Sequence, residues 1–201
     1  MSAESKGIRG QRELFGLLYE TAVNAGIEVI EDRINRKGGI CRLKEKLMVV
    51  YDAQAPYHER NRLILDATHN EEGACALREN IAGIEAETGM KPVVVAGTLG
   101  HDRAPSLIGT VAEYAEKLYL LSPSQPRALS FDAMKAYVPE WFEGEVLQAP
   151  IEEMFAKDQC RMPIKPGQTV LVTGSIYLIG EVCEYVRLGA PVHQQSLQDV
   201  I

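Results

Sequence analysis

Residues 92–100, PVVVAGTLG, constrain the fold more than any other stretch. A β-branched run with no polar alternation, closed by glycines, marks a strand buried on both faces, and such strands belong to parallel sheets covered by helices. The neighbouring sequence supplies both partners. Residues 62–66 (RLILD) read as another buried strand, and residues 70–88 as a helix with Ala74, Leu77, Ile81 and Ile84 on one face. Beyond the central run the pattern predicts a helix over 105–115, a strand over 117–122, a short helix over 130–137, a strand over 145–149 and a helix over 151–157. A last strand over 169–174 leads into a final helix that ends near Gly189. Strands separated by helices imply right-handed crossovers and a mostly parallel sheet.

The fold class expected for residues 61–190 is therefore α/β, a Rossmann-like sheet with flanking helices, followed by a polar tail over 191–201. One seam is open. Residues 57–68 could continue as an amphipathic helix, or Arg62 to Asp66 could open the sheet, and the motif that follows favours the strand.

Residues 1–60 read as a separate small α+β unit of unknown role. Leu14, Leu17, Leu18, Ala22 and Val23 recur at helical spacing until Gly26 stops the run. A strand over 27–34, a turn at Lys37, Gly38 and Gly39, and a hairpin of 40–43 against 47–52 follow. A unit of this size needs more chain or a partner to be stable. It faintly resembles a small bacterial domain built around a GG-[IL]-C-[RK] hairpin, a likeness that carries no chemistry. No Gly/Ser/Pro-rich linker separates the halves, which leaves a junction near 55–62 open.

Charge and cysteines narrow the functional classes. The formal net charge of −7 opposes a non-specific nucleic-acid binder, which needs clustered Lys and Arg. Lys37, Arg42, Lys44 and Lys46 are interleaved with acids and suit a solvated hairpin. Cys41, Cys75, Cys160 and Cys183 show no CxxC pair or zinc-finger spacing, so no metal or disulfide framework is expected, and Cys75 and Cys183 fit as small buried hydrophobes. The opening MSAESKGIRGQ lacks the apolar core of a signal peptide, and no window approaches the roughly 18 apolar residues of a membrane span. A cytoplasmic, reducing location is expected.

Ligands of an open parallel sheet bind beyond the carboxyl ends of its strands, and four distinctive stretches fall there. In LDATHNEEG (65–73), Asp66 and His69 lie three residues apart on a strand-to-helix turn and can project toward one ligand at a helix N-terminus. Equally, Asn70 or Thr68 is an ordinary N-cap and His69 is exposed. In residues 93–107, Gly97 and Gly100 let backbone approach a ligand beside His101, Asp102 and Arg103, or Asp102 simply caps the next helix. In LLSPSQPRALS (120–130), Arg127 follows a proline and suits bidentate carboxylate recognition, or is a surface arginine on a turn. In LVTGSIYLIGEV (171–182), Gly174 and Ser175 turn strand into helix. Backbone N–H groups there can face a ligand, or the turn merely starts a helix whose core is Ile176, Leu178, Ile179 and Val182.

In this order the four stretches, from about Arg62 to Gly189, resemble the C-terminal domain of folylpolyglutamate synthase/dihydrofolate synthase, of the Mur ligase superfamily. The family's D-G-A-H-N is similar to Asp66, Ala67, Thr68, His69 and Asn70. The resemblance implies that Asp66, His69 and Asn70 contact ATP from the lid side. The G-M-L-x-D-K-D pattern keeps Asp102 but not the lysine, for which His101 or Arg103 substitutes only in part. N-P-R-A appears with Gln125 for Asn, which implies that Arg127 holds the carboxylate of the incoming glutamate. T-G-S-[LI]-Y-L-[VI]-G-E-V is the most specific match and implies that Gly174 and Ser175 belong to the same pocket, together with Asp102.

Ligases of this type activate a folate carboxylate as an acyl phosphate, which needs a phosphate-cradling loop and Mg²⁺ ligands. These 201 residues contain no G-x-G-K-[ST] loop. The expectation is a glutamate-binding, ATP-contacting domain of a folate polyglutamylation ligase, with no catalytic residue of its own. ATP and Mg²⁺ would enter only with a separate central ATPase domain, and neither nucleic acid nor membrane is an expected partner. Two other readings stay open: a non-enzymatic binding or relic module, and a fused or truncated chain with no ligand.

Overall fold

A computed structural model of the chain describes residues 46–50, 61–66, 68, 71–156 and 159–188. The helix, strand and turn expected over 10–39 lie outside the described residues, as does the tail.

Among the described residues six strands form one sheet. In chain order the elements are β1 (Lys46–Val50), β2 (Arg62–Asp66), α1 (Glu71–Thr88), β3 (Val93–Ala96), α2 (Ala104–Tyr114), β4 (Lys117–Leu120), α3 (Phe131–Lys135), β5 (Glu145–Leu147), α4 (Ile151–Met154), β6 (Phe155–Ala156), β7 (Gln159–Cys160), β8 (Thr169–Thr173) and α5 (Ile176–Leu188). The sheet order is β1-β2-β8-β3-β4-β5, and β6 pairs with β7 alone. The five strands from β2 to β5 are parallel. Among the described strands of this sheet only β1 runs antiparallel, with Lys46 opposite Asp66 and Val50 opposite Arg62. The α/β reading holds, and Arg62–Asp66 is a strand rather than a helix. The strand expected over 47–52 joins this sheet, on the other side of the boundary placed at residue 60.

Alternation along the strands explains the three layers. Leu63, Leu65, Val93, Val95, Tyr119, Val170 and Val172 pack on one face, against Leu178, Ile179, Val182, Cys183 and Val186 of α5. Ile64, Val94, Ala96, Leu118, Leu120 and Leu171 pack on the other, against Leu77, Ile81 and Ile84 of α1 and Leu107, Ile108 and Val111 of α2. Side chains of a strand point alternately to opposite faces, so an uninterrupted apolar run such as Val93–Ala96 is what burial of both faces demands. The α1 stripe of Ala74, Leu77, Ile81 and Ile84 is buried as its spacing predicts. Cys183 is buried as a small hydrophobe, and the side chain of Cys75 is outside the described residues.

Three local expectations need correction. The helix over 151–157 stops at Met154, because Phe155 turns extended (φ −131°, ψ 143°) to bury its ring, and a short hairpin of β6 and β7 follows. The helix over 130–137 keeps its regular turns only to Lys135. Asp102 does not cap α2: the N-cap is Arg103, with no side-chain bond, and Pro105 in the first turn has no N–H to satisfy.

At the amino ends of the strands a buried glutamine ties the chain together. Gln168 Nε2 donates to Lys91 O (3.0 Å) and Glu116 Oε2 (3.0 Å), and its Oε1 accepts from Lys165 N (3.0 Å). Asn61 Nδ2 donates to the carbonyls of Lys165 and Gln168. These bonds lie at the opposite pole from the candidate site. No helix among the described residues is long and apolar enough to cross a membrane.

Candidate functional site

The strand order locates a crevice that the linear sequence does not reveal. Strand β3 leads into α2 on one face of the sheet, while its neighbour β8 leads into α5 on the other. Adjacent parallel strands whose following helices depart to opposite faces define a topological switch point, and a crevice opens there beyond their carboxyl ends.

Two glycines make this junction. Gly97 N donates to Thr173 O at 3.2 Å, continuing the β3–β8 ladder past the last paired residues. Gly174 adopts φ +94°, and a methyl group added there would come within 2.5 Å of Gly97 O, with Leu107 Cδ2 closer still. A Cβ at Gly97 would collide with Leu121 O. Backbone approaches backbone here because no side chain intervenes.

Ser175 follows, buried, as the cap of α5: its Oγ accepts from Tyr177 N at 3.2 Å, and its carbonyl accepts from Ile179 N. The remaining first-turn amides of α5 present a partial positive charge toward the crevice, as helix N-termini do. Thr98 and Thr173 flank the glycine junction with buried hydroxyls that meet no hydrogen-bond partner among the described residues. A third such hydroxyl, Thr169, lies at the opposite end of β8. Sequence reading missed Thr98 and Thr173. Each stands one residue from a glycine already singled out, which was the available signal.

The loop after β4 is stitched to the loop after β3. Gly100 N donates to Arg127 O (3.1 Å), Leu129 N donates to Thr98 O (3.1 Å), and Leu99 bridges Ala128. Ala128 N donates to Gln125 O (3.0 Å), closing a turn with Pro126 and Arg127 at its centre. Proline fixes φ near the value the first central position of such a turn requires. The Arg127 side chain is exposed, and no carboxylate among the described residues pairs with it. Gly100 (φ +86°) lies so close to the Asp102 carboxylate that a Cβ there would sit 2.6 Å from Oδ1. Asp102 itself is exposed, with Arg103 Nε 3.9 Å from its Oδ2. His101 Nδ1 lies 2.9 Å from the Tyr137 hydroxyl, which ties this loop to the end of α3.

Of the residues singled out from sequence, Asp102, Arg127, Gly174 and Ser175 thus lie on one connected layer of loops. Asp66 is placed differently. It is 4% exposed, and both carboxylate oxygens are engaged: Oδ1 accepts from Thr68 N (2.9 Å) and Oδ2 from Asn80 Nδ2 of α1 (3.0 Å). Two residues beyond Ile64, it faces the α1 side of the sheet. His69 and Asn70 lie outside the described residues. No group of three or more His, Cys, Asp or Glu among the described residues could hold a metal ion.

The Asp66–Asn80 bond gives a direct test of this inward role. Asn80→Ala leaves a buried carboxylate oxygen without its donor, and is expected to lower stability by about 1–3 kcal/mol in urea unfolding. An unchanged midpoint would mean that Asp66 finds another partner or turns outward.

No family model matches the chain, and no curated protein matches it. Solved structures do. The bifunctional folylpolyglutamate synthase/dihydrofolate synthase of Yersinia pestis, complexed with AMPPNP and Mn ion, is 20% identical, covers 60% of this chain and 27% of its own, and has a TM-score of 0.46. Escherichia coli FolC in complex with ADP is 21% identical over 61% of this chain and 28% of its own, with a TM-score of 0.47. Mycobacterium tuberculosis folylpolyglutamate synthase complexed with ADP is 23% identical over 59% of this chain and 28% of its own, with a TM-score of 0.44. The chain therefore spans little more than a quarter of the length of these proteins.

Proposed function

We propose that the crevice between β8 and β3 binds the carboxylates of an amino acid, glutamate, and that the chain is the amino-acid-binding C-terminal domain of a cytoplasmic ligase of the folylpolyglutamate synthase type. The observation that carries this reading is the Arg127 turn. A proline-fixed guanidinium, without a partner among the described residues, is held by backbone bonds to the loop that borders the glycine junction. Guanidinium matches carboxylate by two parallel N–H···O bonds, and the α5 N-terminus with Ser175 supplies further donors suited to an anion. The four ordered motifs described above support the same ligand. Calorimetric titration with L-glutamate tests it, and absence of heat up to millimolar ligand would sink it.

Amide-bond formation on this reading requires a partner. Acyl-phosphate chemistry draws on a phosphate-cradling loop and Mg²⁺ held by a central ATPase domain, and these 201 residues carry no such loop. The purified chain is expected to release no phosphate from ATP in a malachite-green assay; measurable turnover would show that the core lies within it.

A second reading, a binding module that senses amino acid without serving a ligase, is favoured by one feature. Asp66, the residue that the resemblance assigns to nucleotide, spends both oxygens inside the domain. ATP titration separates the two readings, since a lid of a ligase gains affinity for nucleotide when its core is supplied and a sensor does not.

A further inference from the structure

A guanidinium recognises a carboxylate well only if its turn is held still, because ordering it at the moment of binding subtracts from affinity. The exit of the Arg127 turn is pinned by its bonds to residues 98–100. The entry is pinned by a different element: Ser124 N donates to Glu181 Oε1 of α5 at 2.7 Å, across 57 residues of chain. Little freedom remains between that anchor and Arg127. Gln125 is bonded on both sides, its N–H to Pro123 O (2.7 Å) and its carbonyl from Ala128 N, and Pro126 has its φ fixed by its ring.

We propose that Glu181 is the positioning residue of the Arg127 turn, clamping Ser124 so that the guanidinium is presented beside the N-terminus of α5. The proposal rests on the reading of Arg127 as a carboxylate binder. It also gives α5 two tasks: its first turn borders the crevice through Ser175, and its second turn holds the arginine loop. Burial pushes the Glu181 carboxyl above the usual carboxylate range, the Ser124 N–H and hydroxyl pull it back, and Glu184 adds to the push. A half-buried carboxylate is a poor filler for this position, and a defined donor accounts for its presence.

The sign of the effect separates a clamp from a mere charge. A carboxylate near an anion site opposes anion binding through its field, so loss of a bare charge tightens binding. Loss of a clamp loosens it. Glu181→Gln removes the charge and keeps a carbonyl acceptor for Ser124 N, whereas Glu181→Ala removes both.

In the full chain, Glu181→Ala is expected to weaken L-glutamate affinity roughly ten-fold by calorimetry, as loss of one charge-assisted anchor predicts. Glu181→Gln should bind as well as the wild type or better. Amide exchange read by NMR should accelerate at Ser124 and Ala128 in the alanine variant alone, with Val95 and Val172 of the core still protected. Tighter glutamate binding in both variants, or unchanged exchange at Ser124 and Ala128 in Glu181→Ala, overturns the clamp. Should the wild type bind no glutamate while these amides respond as described, the glutamate reading falls and the clamp on the turn stands.

Discussion

Alanine in place of Arg127 is expected to remove measurable binding of L-glutamate, with the fold intact. Two charge-assisted hydrogen bonds from a guanidinium to a carboxylate contribute about 1.5–3 kcal/mol each, so losing them lowers affinity by about two to four orders of magnitude. The side chain is exposed on a turn whose backbone bonds run through N–H and carbonyl groups, which the substitution leaves in place. Unfolding midpoints of variant and wild type should therefore coincide. Arg127→Lys is the sharper comparison: an ammonium keeps the charge and loses the planar fork, so it should restore only part of the affinity. Arg161→Ala serves as a control, since that side chain contacts Glu152 O beside the β6–β7 hairpin. Equal titration heats for wild type and Arg127→Ala would remove arginine from the site.

Much of the fold was legible because its signals are local. The stripe of Ala74, Leu77, Ile81 and Ile84, and the run Val93–Ala96, announce a one-sided helix and a two-sided strand through periodicity alone. The insertion of β8 between β2 and β3 was not legible, since pairing partners depend on contacts distant in sequence. That insertion creates the switch point, so the crevice could be assigned to strand ends in general but not to the β8–β3 gap. The Phe155–Cys160 hairpin was missed for a related reason: only the buried ring of Phe155 ends α4, and tertiary burial leaves no mark on local propensity.

The site shows the same division. Pro126 before Arg127 and glycines at 97, 100 and 174 are turn chemistry that can be read directly. The orientation of Asp66 could also have been inferred. Residue 66 shares a face with Ile64, and Asn80 interrupts the apolar stripe three residues after Leu77 and four before Ile84. A polar residue on a buried stripe asks for a partner, and Asp66 is that partner. The bond between Ser124 and Glu181 had no such signal, because nothing in either motif says that the loop and the helix meet.

Gly174→Ala is expected to cost far more stability than the same methyl addition at Gly180. At φ +94° an L side chain is strained by about 1–3 kcal/mol, and forcing a methyl into a packed junction adds about 1–3 kcal/mol. The new carbon would meet Gly97 O at 2.5 Å as well as Leu107 Cδ2, so relief requires β8 to move away from β3 or α2 to shift. At about 2–4 °C per kcal/mol for a chain of this size, the thermal midpoint should fall by roughly 4–24 °C. Gly180→Ala isolates the cause. Gly180 lies inside α5, a Cβ there meets nothing within 4 Å, and alanine favours the helix by about 0.5–1 kcal/mol, so that midpoint should rise. The same methyl group thus acts with opposite signs six residues apart. If both variants shift alike, the contact between Gly97 and Gly174 is not what shapes the crevice, and the case for a ligand at the switch point loses its steric foundation.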